Sequence, residues 1–422
     1  MKIKRITAAL LALGLMLGLG SCGQSQPYAT GQDHPYAISE AIYQEKEPGG
    51  SVGTLGRFFP DSAQVFLSGP PEENRVYSPM NLYLALAMLS ETVGGESRQQ
   101  LLDLLDVEDL EGLRSRAEAL WQDSYHDGEQ LTSLLASALW MADGVEYIPE
   151  TMSALAKFHH ASAFQGPIGD PAYDEALRSW IDQQTNGFLN QKTQNLHFND
   201  DTFLALVTTV YFRGRWDASF YPEDTVPETF HAPGRDLTCD FMHQKTARDY
   251  YWGEQFAAVS QSVMEGGTMW LVLPEEGVSA EALLEGEALY AFLQAGQQWD
   301  QRREAMVSLA LPKFDISTTI ALQPGLEALG VTDVFDPARA DFSPALVNPP
   351  PSSYLTTATH VARLLVDEEG CEAAAFTMLE CGGDAFQAPE EEIDFILDRP
   401  FLFVLTNRDG LPLFAGVVNA PG

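Results

Sequence analysis

Glu368-Glu369-Gly370-Cys371-Glu372-Ala373-Ala374-Ala375-Phe376-Thr377 and, after an irregular stretch, Asp398-Arg399-Pro400-Phe401-Leu402-Phe403-Val404-Leu405 decide how this chain folds. The first run opens as an acidic turn and continues in small side chains, as suits a strand that must slide late into a packed sheet. Gly and acidic residues from Glu380 to Glu392 then read as an exposed loop, and Phe401 to Leu405 as a buried strand. The strand period of two puts Cys371, Ala373, Ala375, Thr377 and Leu379 on one face, and Glu372, Ala374, Phe376, Met378 and Glu380 on the other. The first face is small or apolar and carries no charge, so it is the inward one; the second, with two glutamates, is the wetter. Between Cys371 and Leu379 the inward face holds neither proline nor charge, either of which is costly inside a sheet.

Outward from this stretch, several segments read as parts of one large core. Asn74 to Pro79 is a short strand ending at Ser78-Pro79, after which Leu82, Leu84, Ala85, Leu86, Met88 and Leu89 recur on a helical face. Ala136 to Met141 reads as a core strand, and Thr185-Asn186-Gly187 as the turn after a helix. Thr202 to Trp216 is apolar for most of its length, as a strand buried on both faces should be. At 422 residues and 45% apolar content, no composition break or internal repeat divides the chain after about residue 55, so we expect a single domain over residues 55–422.

Taken together and in order, these segments resemble the serpin family, as do Met269 to Pro274, Leu309 to Phe314 and Ala340 to Ser343. The resemblance implies an α+β single domain with three β-sheets, the largest mainly antiparallel, about eight or nine helices and an exposed reactive loop at about residues 368–394. It also implies suicide-substrate trapping of a serine or cysteine endopeptidase: the loop is cut, an acyl-enzyme forms, and the loop inserts as a strand. Residues carry over one by one. Glu368 to Thr377 match the hinge; Lys313 and Glu368 match an ion pair at the head of the insertion site, with Trp216 packed there; Ser78 and His360 match a hydrogen-bonded cluster beneath the strands that part. Asn81 stands where the family usually has Ser, and Thr208 where it usually has Asn. The family's count from Glu368 puts the reactive bond at Asp384-Ala385, whereas counting back from the C-terminal strand points nearer Pro389, leaving the window Cys381 to Pro389. No cofactor is implied, and the expected working form is a monomer.

Inserting such a strand adds ladder hydrogen bonds at roughly 0.5 to 1.5 kcal/mol each, so a dozen give on the order of 10 kcal/mol. The rival reading is a loop that is cut without inserting, in a binding or adhesion module at the cell surface. Other enzyme signatures are missing: there is no His-Glu-x-x-His, phosphate-binding Gly loop or Cys-x-x-Cys. The adjacent His159 and His160 point apart on most backbones and make a poor metal site.

At the N-terminus, Lys2, Lys4 and Arg5 precede an apolar run from Ile6 to Leu19 of signal-peptide length, ending in Leu19-Gly20-Ser21-Cys22. This resembles a bacterial lipobox, with residues 1–21 removed, Cys22 acylated and residues 22–54 a flexible tether to a membrane outside the cytoplasm. The formal charge of −36 argues against a nucleic-acid partner. Cys22, Cys239, Cys371 and Cys381 are the only cysteines, so with Cys22 acylated an odd number remains. A Cys371–Cys381 disulfide would hold the loop out of the sheet, and two unpaired thiols are the plainer expectation.

Overall fold

The apolar segment read as a doubly buried strand runs from Leu204 to Arg215 and pairs antiparallel with Leu131–Ala142, from Leu131 opposite Gly214 to Met141 opposite Leu204. The computed structural model describes residues 34–42, 55–350, 353–356, 358–371 and 389–421. Among these are ten α-helices and two sheets, one of eight strands and one of nine. The eight-stranded sheet is mainly antiparallel and holds the site. Its central order is Leu131–Ala142, Leu204–Arg215, Gly370–Cys371, Thr359–Val366, Phe314–Ala321. Of the three sheets expected from the sequence, two are continuous here, because the 18-residue strand Arg235–Trp252 runs through both halves of the nine-stranded one.

Ser78 caps the helix Pro79–Thr92: its Oγ accepts from the backbone N–H of Asn81, and proline occupies the first turn, where no N–H is needed. That helix is buried almost all round and lies under the central strands. The opposite face of the sheet is covered by the helix Pro171–Gln184 over an aromatic cluster of Trp140, Phe164, Tyr173, Trp180 and Phe198. Along Leu204–Arg215 the even residues face the first helix and the odd ones the second, as period two requires. Ala205 to Thr208 are only half-buried, short of the expected burial on both faces. The reason is that, among the described residues, only Gly370 and Cys371 pair with this strand on its far side.

Residues 34–42, within the span read as a tether, lie along the outer edge of the same sheet. Ala37–Ser39 pairs antiparallel with Ala161–Gly166, and the rings of His34 and Tyr36 lie 4.6 Å from Phe164 and 4.8 Å from Tyr173. Cys22 lies outside the described residues.

Candidate functional site

The described hinge residues, together with Ser78, Asn81, Thr208, Trp216, Lys313 and His360, fall along the track between the strands Leu204–Arg215 and Thr359–Val366. At its head the chain leaves Val366 in a tight reversal: Asp367 Oδ1 accepts from the N–H groups of Glu369 and Gly370, and Asp367 N–H donates to Gly370 O. The hinge then turns into the sheet. Gly370 stands opposite Arg215, and Cys371 opposite both Gly214 and Val366. Glycine is required at 370, because a β-carbon there would meet Gly214 O at 2.0 Å.

Two residues clamp this reversal. Trp216, 1% exposed, donates from Nε1 to Asp367 O at 2.9 Å and from its backbone N–H to Glu369 O at 2.9 Å. Lys313 Nζ lies 2.7 Å from Glu368 Oε2, and Thr225 Oγ donates to Glu368 Oε1 at 2.9 Å. Lys313 is the single residue between the strands Arg302–Pro312 and Phe314–Ala321, where the chain passes from one sheet to the other. The ion pair therefore ties the hinge to the junction of the sheets. Burial pushes the Glu368 carboxyl upward, but the hydrogen bonds from Lys313 and Thr225 together with the Lys313 charge outweigh it and leave the group below its ordinary range. Burial has the upper hand at Asp367, which is raised. Thr225 and Asp367 escaped the sequence reading, since neither has a charge partner or spacing that marks it before the chain is folded.

Lower on the track, the helix cap holds both flanking strands. Ser78 N–H donates to His360 Nε2 at 3.0 Å, and Ser78 Oγ donates to Leu413 O at 2.6 Å. Asn81 Nδ2 reaches Thr208 O at 3.4 Å. One strand is thus attached through His360 and the other through Thr208, to residues three positions apart at one helix start. His360 is buried, which lowers its pKa to about 4 and keeps the imidazole neutral, as an acceptor at Nε2 must be. A cavity of about 380 Å³ lies beside the cluster, lined by Leu204, Leu206 and Thr208 from one strand, His360 from the other and Leu82 and Leu86 from the helix. Its walls are apolar or neutral, matching the uncharged inward face of the hinge sequence.

Glu372, Ala373, Ala374, Ala375, Phe376 and Thr377, the bond Asp384-Ala385 and the rest of the window up to residue 388 lie outside the described residues. Cys371 is fully buried, and burial, followed by the Asp367 charge, pushes its thiol far above the ordinary range. A thiol so sealed is a poor disulfide partner, which removes the support for a latch while the hinge is seated.

The model of the family described as Serpin (serine protease inhibitor) matches residues 57–421. An alpha-1-antitrypsin-like protein of Tamias sibiricus is 30% identical over 431 residues, covering 98% of this chain and 97% of that protein. Plasminogen activator inhibitor 1 of Bos taurus is 27% identical over 430 residues, covering 98% of each. Among solved structures, the thermophilic serpin tengpin in its native state superposes with a TM-score of 0.78 at 21% identity, over 90% of this chain and 97% of tengpin. Human thyroxine-binding globulin with its ligand gives 0.77 at 20% identity, over 88% and 100%. The match in sequence runs from the first helix of the domain to its last strand and takes in hinge, clamp and cap alike, and on that ground the chain belongs to the serpin family.

Proposed function

We propose that this protein inhibits a serine, or alternatively a cysteine, endopeptidase by trapping it on a loop that inserts once cut. The observation that carries this is the seating of Gly370 and Cys371 at the head of the track, in register with both flanking strands. The protease nucleophile attacks a carbonyl within Cys381 to Pro389. The peptide bond breaks, the new amine leaves with a proton, and the loop stays joined to the enzyme as an acyl ester or thioester. Released at that end, the segment after Cys371 continues into the sheet and carries the acyl-enzyme with it before water can complete hydrolysis. The chain contributes the bait and the driving force rather than catalytic groups. We further propose that residues 1–21 are a signal peptide and that Cys22 carries lipid outside the cytoplasm. Fatty-acid labelling that disappears in Cys22→Ala is the expected result.

The rival reading is a binding module, for which the likeness to thyroxine-binding globulin stands as a precedent of fold. Incubation with a panel of serine and cysteine proteases, followed by denaturing electrophoresis, separates the two. A complex that survives denaturation supports trapping, whereas clean cleavage with no complex assigns the loop to the rival.

A further inference from the structure

Arg248, on the strand Arg235–Trp252, is a half-buried cation that makes no ion pair among the described residues. The neighbouring strand Phe256–Val263 pairs with this one only where Tyr250–Trp252 meets Ala257–Val259, and beyond those pairs the two diverge. Arg248 fills the opening. Its Nη1 donates to Ser260 O at 3.2 Å and to Gln261 Oε1 at 2.9 Å, its Nη2 to Gln244 Oε1 and to Thr246 Oγ1 at 2.8 Å, and its Nε to Thr246 Oγ1 at 3.0 Å. Every partner is a neutral oxygen. Burial pushes the pKa of Arg248 down to about 10, still well above neutrality, so the charge persists there without a counter-ion.

A guanidinium only donates, so each glutamine turns its oxygen toward Arg248 and its NH2 group away. Both NH2 groups then meet the same short stretch of chain. Gln261 Nε2 donates to Ala218 O at 3.0 Å, and Gln244 Nε2 donates to Ala218 O at 3.0 Å and to Ser219 O at 3.3 Å. That stretch joins the two N–H groups that hold the hinge main chain: Trp216 N–H donates to Glu369 O at 2.9 Å and Phe220 N–H to Glu368 O at 3.0 Å. Between them, Asp217 N–H is fixed to Ser262 O at 3.0 Å. Residues 216–220 thus hold the hinge by N–H groups and are themselves held by carbonyls.

We propose that Arg248 is a positioning residue for the hinge. By fixing the orientation of both glutamine amides it holds Ala218 and Ser219, and through them the two N–H groups that seat Glu368 and Glu369. Were either amide reversed, its oxygen would face a carbonyl and that tie would be lost. Lysine does not replace Arg248, since a single ammonium lacks the planar fork that reaches two amides, a hydroxyl and a carbonyl at once. The arrangement belongs to the seated hinge of the uncut chain and does not depend on whether the loop inserts.

In the full-length, uncut protein, alkylation of Cys371 is mapped by mass spectrometry, with Cys239, half-buried on the same strand as Arg248, as the reference. Amide hydrogen exchange over residues 216–220 reports the stretch itself. Arg248→Met should speed alkylation of Cys371 relative to Cys239 about tenfold, the order of one lost hydrogen bond, and Arg248→Lys should do the same. The double variant Gln244→Glu, Gln261→Glu gives the guanidinium a counter-ion yet presents oxygen where each NH2 group faced a carbonyl. It too should speed Cys371 alkylation about tenfold and raise exchange over 216–220, at urea concentrations far below the unfolding transition. If Arg248 merely supports the fold, the double variant leaves Cys371 protected, and Arg248→Met exposes Cys371 and Cys239 together, in step with global unfolding in urea. Either result overturns the proposal. Should Arg248→Met fail to fold, Arg248→Lys and the double variant decide by the same readouts. Loss of protease trapping alone would leave the proposal untouched, because every measurement is made before the loop is cut.

Discussion

At residue scale, two positions make the site testable. Gly370 seats the hinge only because it lacks a β-carbon, since one would meet Gly214 O at 2.0 Å. Gly370→Ala should unseat the hinge and expose Cys371, whose thiol is buried in the wild type. Alkylation of Cys371, mapped by mass spectrometry, should be roughly tenfold faster in the variant, as follows from a steric cost of about 1 to 3 kcal/mol. Unchanged protection would show that the hinge is not held by that contact. His360 tests the cap. Its pKa is about 4 when folded and about 6.5 when unfolded, so between these values the unfolded chain binds the extra proton. The contribution to stability is whole above about pH 6.5 and is lost as pH falls toward 4, amounting to about 3 kcal/mol for this group. Urea unfolding across that range should show a pH dependence in the wild type that is reduced in His360→Gln; equal slopes would remove His360 from the cap. Ser78, His360, Lys313 and Glu368 were legible in the sequence through resemblance. Thr225, Asp367 and Arg248 were not, because their roles arise from neighbours that only the folded chain brings to them.

At the scale of elements, the pairing of Cys371 with Gly214 and Val366 supplies the register that the sequence could give only as a parity. If the segment after Cys371 inserts in that register, Ala375 would come between Val210 and Ala362, and Thr377 between Thr208 and His360. Ala362 is 3% exposed and its neighbours there are apolar. Ala375→Arg would bring an unpaired cation into that site, at a cost large enough to stall insertion. The ratio of covalent complex to cleaved protein on a denaturing gel should fall at least roughly tenfold. A ratio that does not move would mean that residue 375 lies on the outward face. Inserted in the same register, Glu372 would come beside Arg213 on the outward face, and Arg213 makes no ion pair among the described residues, its Nη2 donating to Thr132 Oγ1. Reversing both charges together should therefore restore whatever complex formation Arg213→Glu loses, as seen in the same gel assay.

For the whole molecule, the prediction is that cutting the chain stabilises it. If the segment after Cys371 completes the sheet, about a dozen ladder hydrogen bonds add on the order of 10 kcal/mol, which for a domain of this size raises the thermal midpoint by roughly 13 °C. Calorimetry before and after cleavage within residues 381–389 measures it, and an equal or lower midpoint after cutting refutes insertion. The sequence alone determined the fold class and set the expected parity of the hinge, because apolar period, turn residues and small side chains act over a few neighbouring positions. It also carried the expectation of a third sheet, which the 18-residue strand Arg235–Trp252 merges with its neighbour. Only the tertiary structure decided which partners meet across the track. The ties of Ser78 to His360 and Lys313 to Glu368 span 282 and 55 positions in the chain, and no local pattern fixes distances of that kind. They exist because two sheets and the helices covering them close on one another, bringing remote polar groups into places where burial leaves each of them few other partners.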